Sequence, residues 1–589
     1  MSYYIGVDVG TGSARACLID LNGDILSIKE LAIDRQELKP GYITQSTNQI
    51  WNNICICIRN ILQESNVDDI SSKIKGIGFD ATCSLVVLNS KTDQEVAVGP
   101  NFEDNDQNVI LWMDHRALIE TVEINSTDSK CLKYVGGQMS VEMEIPKIKW
   151  LKNNMNPAVY KDCKFLDLPD FLTYKATGNS IRSFCSAVCK QGLLPLGVEG
   201  STKGWTEEFL LNIGLEDLME DNFVKLGGPV KQDSQGKVSF STAGEFIGYL
   251  SDKSSKIMGI SSKCAVSSGI IDAYAGWIGT IAASTKEPIE QLNNFQDNLN
   301  GMICSSGRLA VVAGTSTCHI SLTNKPIFVP GVWGPYRDVL GHNFWCAEGG
   351  QSCTGALLQH VLETHPAYKE LCAISKQQDI SVFEVLNNKI RELTHQRDLI
   401  DEVHLIKNLF FYGDFHGNRS PVADEAMRGN IIGLSMDSSL NDLCRMYLGA
   451  CEFIAQQTRH IVDIMTKSGY NLHSLYMSGG QCRNELLMQL ISNCVGLPVV
   501  IPKNIDTAVV FGSALMGACA SELSKSHSDN TKKPDQILWD VMCKMTGQGI
   551  VVSPQDPSSQ VCKLLTVKYQ IYLDMIATQK RYRSMVNGL

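Results

Sequence analysis

"IGVDVGTGSARACLID", residues 5–20, sets Gly6, Gly10 and Gly12 around the carboxylate of Asp8, and its reading decides the fold. Glycines at this spacing serve a dinucleotide-binding turn, another kind of phosphate loop, or a plain tight hairpin. A dinucleotide fingerprint needs GxGxxG between a strand and a helix. Here Gly10-Thr-Gly12-Ser-Ala is followed by Arg15, and the residues beyond alternate as a strand does. No GxxxxGK[ST] loop occurs anywhere in the chain. What is left is a hairpin whose backbone N–H groups, with the hydroxyls of Thr11 and Ser13, can face phosphate oxygens across Gly12. Asp8, at the end of the first strand, can hold a hydrated Mg²⁺ beside them. The plainer role for Asp8 is a turn cap.

The chain has 589 residues, too many for one ordinary core, so two large domains are expected. Its 52 basic and 63 acidic residues give a net charge of −11, which argues against a nucleic-acid or anionic-membrane partner. The 21 cysteines include no CxxC pair, as expected of free or buried thiols in a reducing compartment. "MSYYIGVDVG" lacks the features of a signal peptide, and the longest apolar run, around 507–520, is too short to span a bilayer. A soluble, cytoplasmic protein is expected.

Residues 3–33 predict strand, turn, strand, turn, strand, with Asn22-Gly23-Asp24 as the second turn. A helix fits 46–64, with Trp51, Ile54, Ile58, Ile61 and Leu62 on one side. "IKGIGFDATCSLVVL" reads as two strands around a polar break at 80–84. "RLAVVAGTSTCHISL" (308–322) then echoes the beginning, with Gly314, Thr315 and Ser316 in place of the first glycine turn. The echo predicts two homologous halves, each opening on a phosphate-handling hairpin. Facing each other across a cleft, they would grip a nucleoside triphosphate. Polar stretches at 99–108, 284–307 and 521–536 are expected to be solvated connections.

This combination resembles the actin-like ATPase superfamily and, within it, the FGGY carbohydrate kinases, most narrowly their ribulokinase branch, over residues 5 to about 520. The resemblance implies an α/β fold of two actin-like (ribonuclease H-like) domains, 1–273 and 274–589, with ATP and sugar between them. In "SSGIIDAYAGWIGT" (267–280), Asp272 is a lone carboxylate that burial penalises unless a partner or cleft receives it. Capping of the following helix is its plainer role, and the resemblance makes it the catalytic base. In "ILWMDHRA" (110–117), the resemblance puts Trp112, Asp114 and Arg116 on the sugar, with a structural ion pair as the alternative for Arg116. The run Thr82-Cys83-Ser84-Leu85-Val86 resembles a ribulokinase signature where glycerol kinases carry Arg-Glu, so Thr82 is expected at the sugar. Ser140, Glu142, Pro146 and Lys147 match a supporting segment, and Lys190 and Glu348 match sugar contacts; "CAEGGQSCTGALLQHV" (346–361) reads as a loop running into a helix, with Gly349 and Gly350 allowing close backbone approach.

"LYMSGGQCRNELLMQLIS" (475–492) predicts strand, glycine turn and helix, with adenosine against Gly479 and Gly480 and Asn484 reaching the base or ribose. Asp414, His416 and Arg419 read as solvated loop residues. The implied activity is ATP- and Mg²⁺-dependent phosphorylation of a ketopentose, D-ribulose at its terminal hydroxyl. The alternatives are a kinase of the same family acting on L-ribulose, xylulose or a polyol, and an actin-like ATP-binding protein that transfers no phosphate. Sugar and ATP are the expected partners, without nucleic acid or membrane, and self-association is left open.

Overall fold

Buried and accessible positions sort themselves from the first residues of the computed structural model, which describes 2–231, 238–286, 300–525 and 532–588. Tyr3–Val9 (β1), Ser13–Ile19 (β2) and Ile25–Ala32 (β3) form an antiparallel meander, and β3, on the edge, alternates fully. Ser46 is extended and its hydroxyl accepts from the Gln49 N–H, which starts the helix Thr47–Glu64 (α1). That helix buries Ile50, Trp51, Ile54, Ile58 and Ile61 against one face of the meander. It also supplies the long connection that Ile74–Ala81 (β4) needs to pair parallel with β1. Leu85–Asn89 (β5), Glu144–Asn154 (α2), Cys163–Asp167 (β6) and Phe184–Lys190 (α3) follow, with β5 and β6 antiparallel. Phe246–Tyr249 (β7) and Ala265–Ser267 (β8) complete the first sheet, in the order β7-β8-β4-β1-β2-β3, and Asp272–Ile278 (α4) leads away from it.

The second half repeats the plan. Arg308–Ala313 (β9) and Thr317–Thr323 (β10) form the second hairpin, extended by Trp333–Arg337 (β11) and Trp345–Gln351 (β12). After Gly355–Thr364 (α5) and Leu440–Lys467 (α6), Ser474–Ser478 (β13) pairs parallel with β9, as β4 does with β1. Glu485–Val495 (α7), Val499–Ile501 (β14), Ala508–Lys525 (α8), Ile550–Val552 (β15) and Gln560–Asn587 (α9) complete the chain's course. The sheet order is β11-β12-β10-β9-β13-β14-β15. The echo extends to the turns, where the Gly10 N–H donates to the Ser13 carbonyl and the Gly314 N–H to the Ser316 carbonyl, each at 2.9 Å.

Three expectations are corrected. Residues 345–351, expected as loop, are the strand β12, held between β10 and β11. Asp80 lies inside β4 and not in a break after it. Of the polar stretch 521–536, residues 521–525 are the last turn of α8, and 526–531 lie outside the described residues. Within 284–307, residues 287–299 also lie outside them.

The apolar run around 507–520 is α8, whose burial explains its composition; among the described residues no helix is long and apolar enough to cross a membrane. It crosses from the second half onto the far face of the first sheet, where Val510, Phe511 and Ala514 join Tyr4 and Cys17. The approach is backbone to backbone. A Cβ on Gly6, Gly76 or Gly78 would lie 1.9, 1.9 and 2.0 Å from the carbonyl oxygens of Val510, Gly517 and Ser513. Likewise a Cβ on Gly512 would lie 1.9 Å from the Ala275 oxygen of α4. Gly→Ala inside a helix normally gains about 1 kcal/mol. Gly512→Ala is expected to lose about 1–3 kcal/mol instead, because this overlap forces the backbones apart. Urea denaturation of the variant checks this, and a midpoint at or above wild type would remove the contact from its role.

Candidate active site

The first hairpin places its tip beside the segment between β5 and α2. Gln45 donates from its side-chain amide to the Thr11 carbonyl at 2.9 Å, and the Trp112 indole N–H donates to the Thr11 hydroxyl at 3.0 Å. Gly12 is exposed with open space around it, while the Ser13 hydroxyl is engaged by Glu30 and holds that carboxylate below its usual range. Behind the tip, Asp8 and Asp80 are cross-strand partners on β1 and β4. Asp8 is half-buried, 4.0 Å from the Arg15 guanidinium, and burial pushes its carboxyl up. Asp80 is fully buried and accepts from the Ser513 hydroxyl of α8; burial and then Asp8 push it well above the carboxylate range. Sequence reasoning missed Asp80, although an aspartate within a run as apolar as "IKGIGFDA" was itself a signal.

Asp272 opens α4, half-buried, and accepts from the adjacent Ala273 N–H at 2.7 Å; the N-cap position is Ile271, with no side-chain cap, so Asp272 is the first helical residue and not the cap. Burial and then Asp8 push its carboxyl up to about 7, against the lowering influence of that N–H and of Lys190. Two residues further on, the same helix reaches the residues opposite. Tyr274, on the same helix, donates its hydroxyl to Glu348 at 3.1 Å. Glu348 sits on β12 directly across from Trp333 on β11. Lys190, at the end of α3, holds its ammonium 4.6 Å from the centre of the Trp333 ring. Burial opposes the charge on Lys190, but Cys83 and Glu348 more than offset it and keep the ammonium charged. Burial alone would raise Glu348; Lys190, Arg419 and the Tyr274 hydrogen bond hold it below the usual range. A carboxylate that titrates near neutrality, faced by an ammonium and a second carboxylate, can take a proton from a polyol hydroxyl whose neighbours are hydrogen-bonded.

The Thr82–Ser84 loop lies on the same side. The Thr82 N–H donates to the Val9 carbonyl at 2.9 Å and its hydroxyl pairs with Ser84 at 3.2 Å. Asp167 accepts from the Ser84 N–H at 2.9 Å, and the Trp112 N–H donates to the Ser84 hydroxyl at 3.3 Å. Lys147 is buried and fixes the turn at Trp112, donating to the carbonyls of Leu111 at 2.6 Å and Trp112 at 3.0 Å. Burial pushes the Cys83 thiol up, so it remains an inert packing residue.

The second hairpin opens into a cavity of about 1120 Å³ that gathers Gly314, Thr315, Gly480 and Asn484. Sequence reasoning missed its aromatic walls, Tyr368 and Phe383, which come from helices without a motif. Gly479 has φ +99°, and a Cβ there would lie 2.0 Å from the Ala313 oxygen, so it serves the close passage of β13 past β9. Gly480 meets nothing nearer than the Asp506 carboxylate at 4.0 Å and presents open backbone. Ser316 closes the hairpin through its carbonyl and is not among the cavity residues. The Asn484 side chain is already engaged: it caps α7 through the Leu487 N–H, accepts from Asn387 at 3.0 Å and donates to the Tyr447 hydroxyl at 2.7 Å. It forms wall more readily than it can follow a ligand.

Two residues expected at the sugar are engaged by each other. Asp114 and Arg116 are a closed pair, both side chains fully buried, with Arg116 Nη2 2.7 Å from Asp114 Oδ2. Asp114 also accepts from the Ile43 N–H at 2.6 Å, and the guanidinium lies 4.8 Å from the Tyr42 ring and 4.9 Å from that of Trp150. Every polar edge faces protein, so the pair locks the Trp112 segment to the strand at Ile43. Asp414 and Arg419 do lie in a loop, but the reading of them as solvated is overturned. Asp414 is buried under hydrogen bonds from Tyr412, Asn418 and Gln457, and Arg419 reaches Glu348 at 2.6 Å; His416 alone is exposed.

With this geometry, the fold and its comparisons agree. The N-terminal domain model of the FGGY family of carbohydrate kinases matches residues 3–194 and the C-terminal domain model matches 309–521. A Saccharomyces cerevisiae protein named D-ribulokinase is 49% identical, the match covering 99% of this chain and 94% of that one. An FGGY carbohydrate kinase domain-containing protein from Homo sapiens is 37% identical over 99% of this chain and 98% of its own. Among solved structures, a xylulose kinase from Brucella ovis superposes with a TM-score of 0.72 at 18% identity, covering 98% of this chain and all (100%) of that one. The chain belongs to the FGGY family of carbohydrate kinases.

Arg116→Ala would leave the Asp114 carboxylate buried without its partner, and is expected to cost about 3–5 kcal/mol of stability. Denaturant titration reads that loss. A fully stable variant with only a raised sugar KM would return the pair to the sugar site.

Proposed function

We infer that the protein is an ATP-dependent pentulose kinase that phosphorylates the terminal hydroxyl of D-ribulose. The observation that carries this is the meeting of Asp272, Lys190 and Glu348 in one electrostatically coupled group beside Asp8. The name of the 49%-identical relative supports the choice of sugar. Residues 1–273 and 274–589 are taken as the two domains, with the substrates between them, and free, mostly buried thiols suit a cytoplasmic enzyme.

In the mechanism, Lys190, Glu348 and Trp112 orient the sugar, and Thr82 supports them through Ser84. Asp272 accepts the proton of the terminal hydroxyl as that oxygen attacks the γ-phosphorus in line. Backbone N–H groups at Thr11, Gly12 and Ser13 and at Thr315 and Ser316 face the phosphates, with Gly314 bringing the second turn close to them while its own N–H closes the hairpin. The adenosine lies in the cavity over Gly480, next to Gly479 and walled by Asn484. Asp8 fits Mg²⁺: a half-buried carboxylate whose proton affinity is raised gains from a cation. An ion that keeps most of its waters and takes phosphate oxygens suits such a site. Bound there, Mg²⁺ would neutralise charge on the transferring phosphates.

Asp272→Asn is expected to lower kcat by at least about 100-fold, the scale of general-base catalysis, with ATP binding retained. The same change should raise Tm above pH 7. An aspartate with a raised folded pKa favours the folded state below its unfolded value, near 3.8, and loses that advantage as pH climbs to about 7. In the wild type, kcat/KM for the sugar should rise with pH through about 7, because the base must be ionised. A coupled ADP-release assay over ketopentoses, aldopentoses, pentitols and glycerol decides the function; near-normal turnover by Asp272→Asn removes the base. Gly480→Phe should raise the KM for ATP about tenfold or more and leave that for sugar within about twofold. The opposite pattern would move the adenosine elsewhere.

A further inference from the structure

Glu348 is bracketed by two cations over one indole. Arg419 lies with its guanidinium carbon 3.9 Å from the centre of the Trp333 ring, and Lys190 lies 4.6 Å from the same ring. Only Arg419 is paired: its Nη2 meets Glu348 Oε1 at 2.6 Å, while Tyr274 takes Oε2 at 3.1 Å. The Lys190 ammonium makes no hydrogen bond or ion pair with any described residue, although it is 3% exposed. Room for Arg419 comes from Gly350, where a Cβ would lie 2.6 Å from the Arg419 Cδ.

The loop that carries Arg419 is fixed from two sides. Asp414 anchors its start, and Asn418 and Asp424 exchange backbone hydrogen bonds at 3.0 and 2.9 Å. Helix α9 holds the far end: Arg583 grips both Asp424 oxygens, and Gln579 takes the Arg428 N–H at 2.7 Å and donates to its carbonyl at 2.8 Å. That helix, 560–587, lies beyond both segments matched by the family models.

We propose that Arg419 is a positioning residue for sugar specificity: by occupying Glu348 it leaves the Lys190 ammonium for an oxygen of the sugar, and α9 holds it there through Asp424. This rests on the pentulose-kinase assignment above. Without Arg419, the nearest compensation for a buried Glu348 is Lys190, which would be drawn onto the carboxylate and away from the substrate.

The test measures KM for D-ribulose and for ATP separately, with calorimetric D-ribulose binding as a second readout. Arg419→Gln is expected to raise the sugar KM about tenfold or more with the ATP KM within about twofold, and Arg419→Lys to recover part of the loss. Adding Arg419→Gln to Glu348→Gln should leave the sugar KM no worse than Glu348→Gln alone, because no carboxylate then remains to capture Lys190. Asp424→Asn, which loosens the α9 clamp, should raise the sugar KM about threefold, again without moving that for ATP. An unchanged sugar KM in Arg419→Gln, or sugar and ATP KM rising together in both Arg419 variants, overturns the proposal. So does an additive double variant. Failure of the wild type to turn over D-ribulose is a different result, which removes the functional assignment itself.

Discussion

The contact between α8 and the first sheet, made through backbone atoms where glycine lets them meet, is what the rest of the site depends on. It brings a helix from late in the chain against the strands that carry Asp8 and Asp80. Ser513 from that helix then supplies the one hydroxyl that the buried Asp80 accepts. The acidic side of the cleft is therefore assembled by two distant stretches of chain, and loosening either one unpacks both. Direct backbone contact leaves little slack for side chains to repack, because there are none at the closest points.

Charge is distributed unevenly on this frame. Asp8, Asp80 and Asp272 lie along one side, where Asp8 raises the proton affinity of the other two and has its own lowered by its hydrogen bond with Asp80. Lys190 and Arg419 lie on the other, with Glu348 between them. Burying so many ionisable groups is costly unless each has a partner or a ligand. Most are partnered. Asp272 and Lys190 are the ones left facing the cleft with capacity to spare, which fits a base and a binding group better than it fits a purely structural network.

Much of the frame was legible in the sequence because it is local. Strand alternation and the glycine turns gave both hairpins, Ser46 marked the start of α1, and the echo at 308–322 extended into a shared sheet plan. Asp272 and Glu348 came from a family resemblance, and the structure brings them together. What escaped was set by pairing across the chain. Arg419 meets Glu348 from 71 residues away, and nothing near it in sequence distinguishes it from a solvated loop arginine. The strand at 345–351 was hidden because "EGGQ" has poor strand propensity, and only flanking strands on both sides hold it extended. Asp114 and Arg116 show a different limit: charged groups two residues apart satisfy each other as readily as they satisfy a ligand, and the sequence does not say which.

The hydrogen bond from the Trp112 indole to the Thr11 hydroxyl joins the segment proposed to meet the sugar to the tip of the first glycine hairpin, proposed to meet the phosphates. Any substrate that orders one of these partners lowers the conformational cost of ordering the other. Thermodynamic reciprocity then applies: whatever factor the acceptor contributes to nucleotide affinity, the nucleotide must return to the acceptor in full. On the assignment proposed above, that single bond would make the two substrates mutual effectors, and the empty enzyme would hold each of them less firmly than the pair.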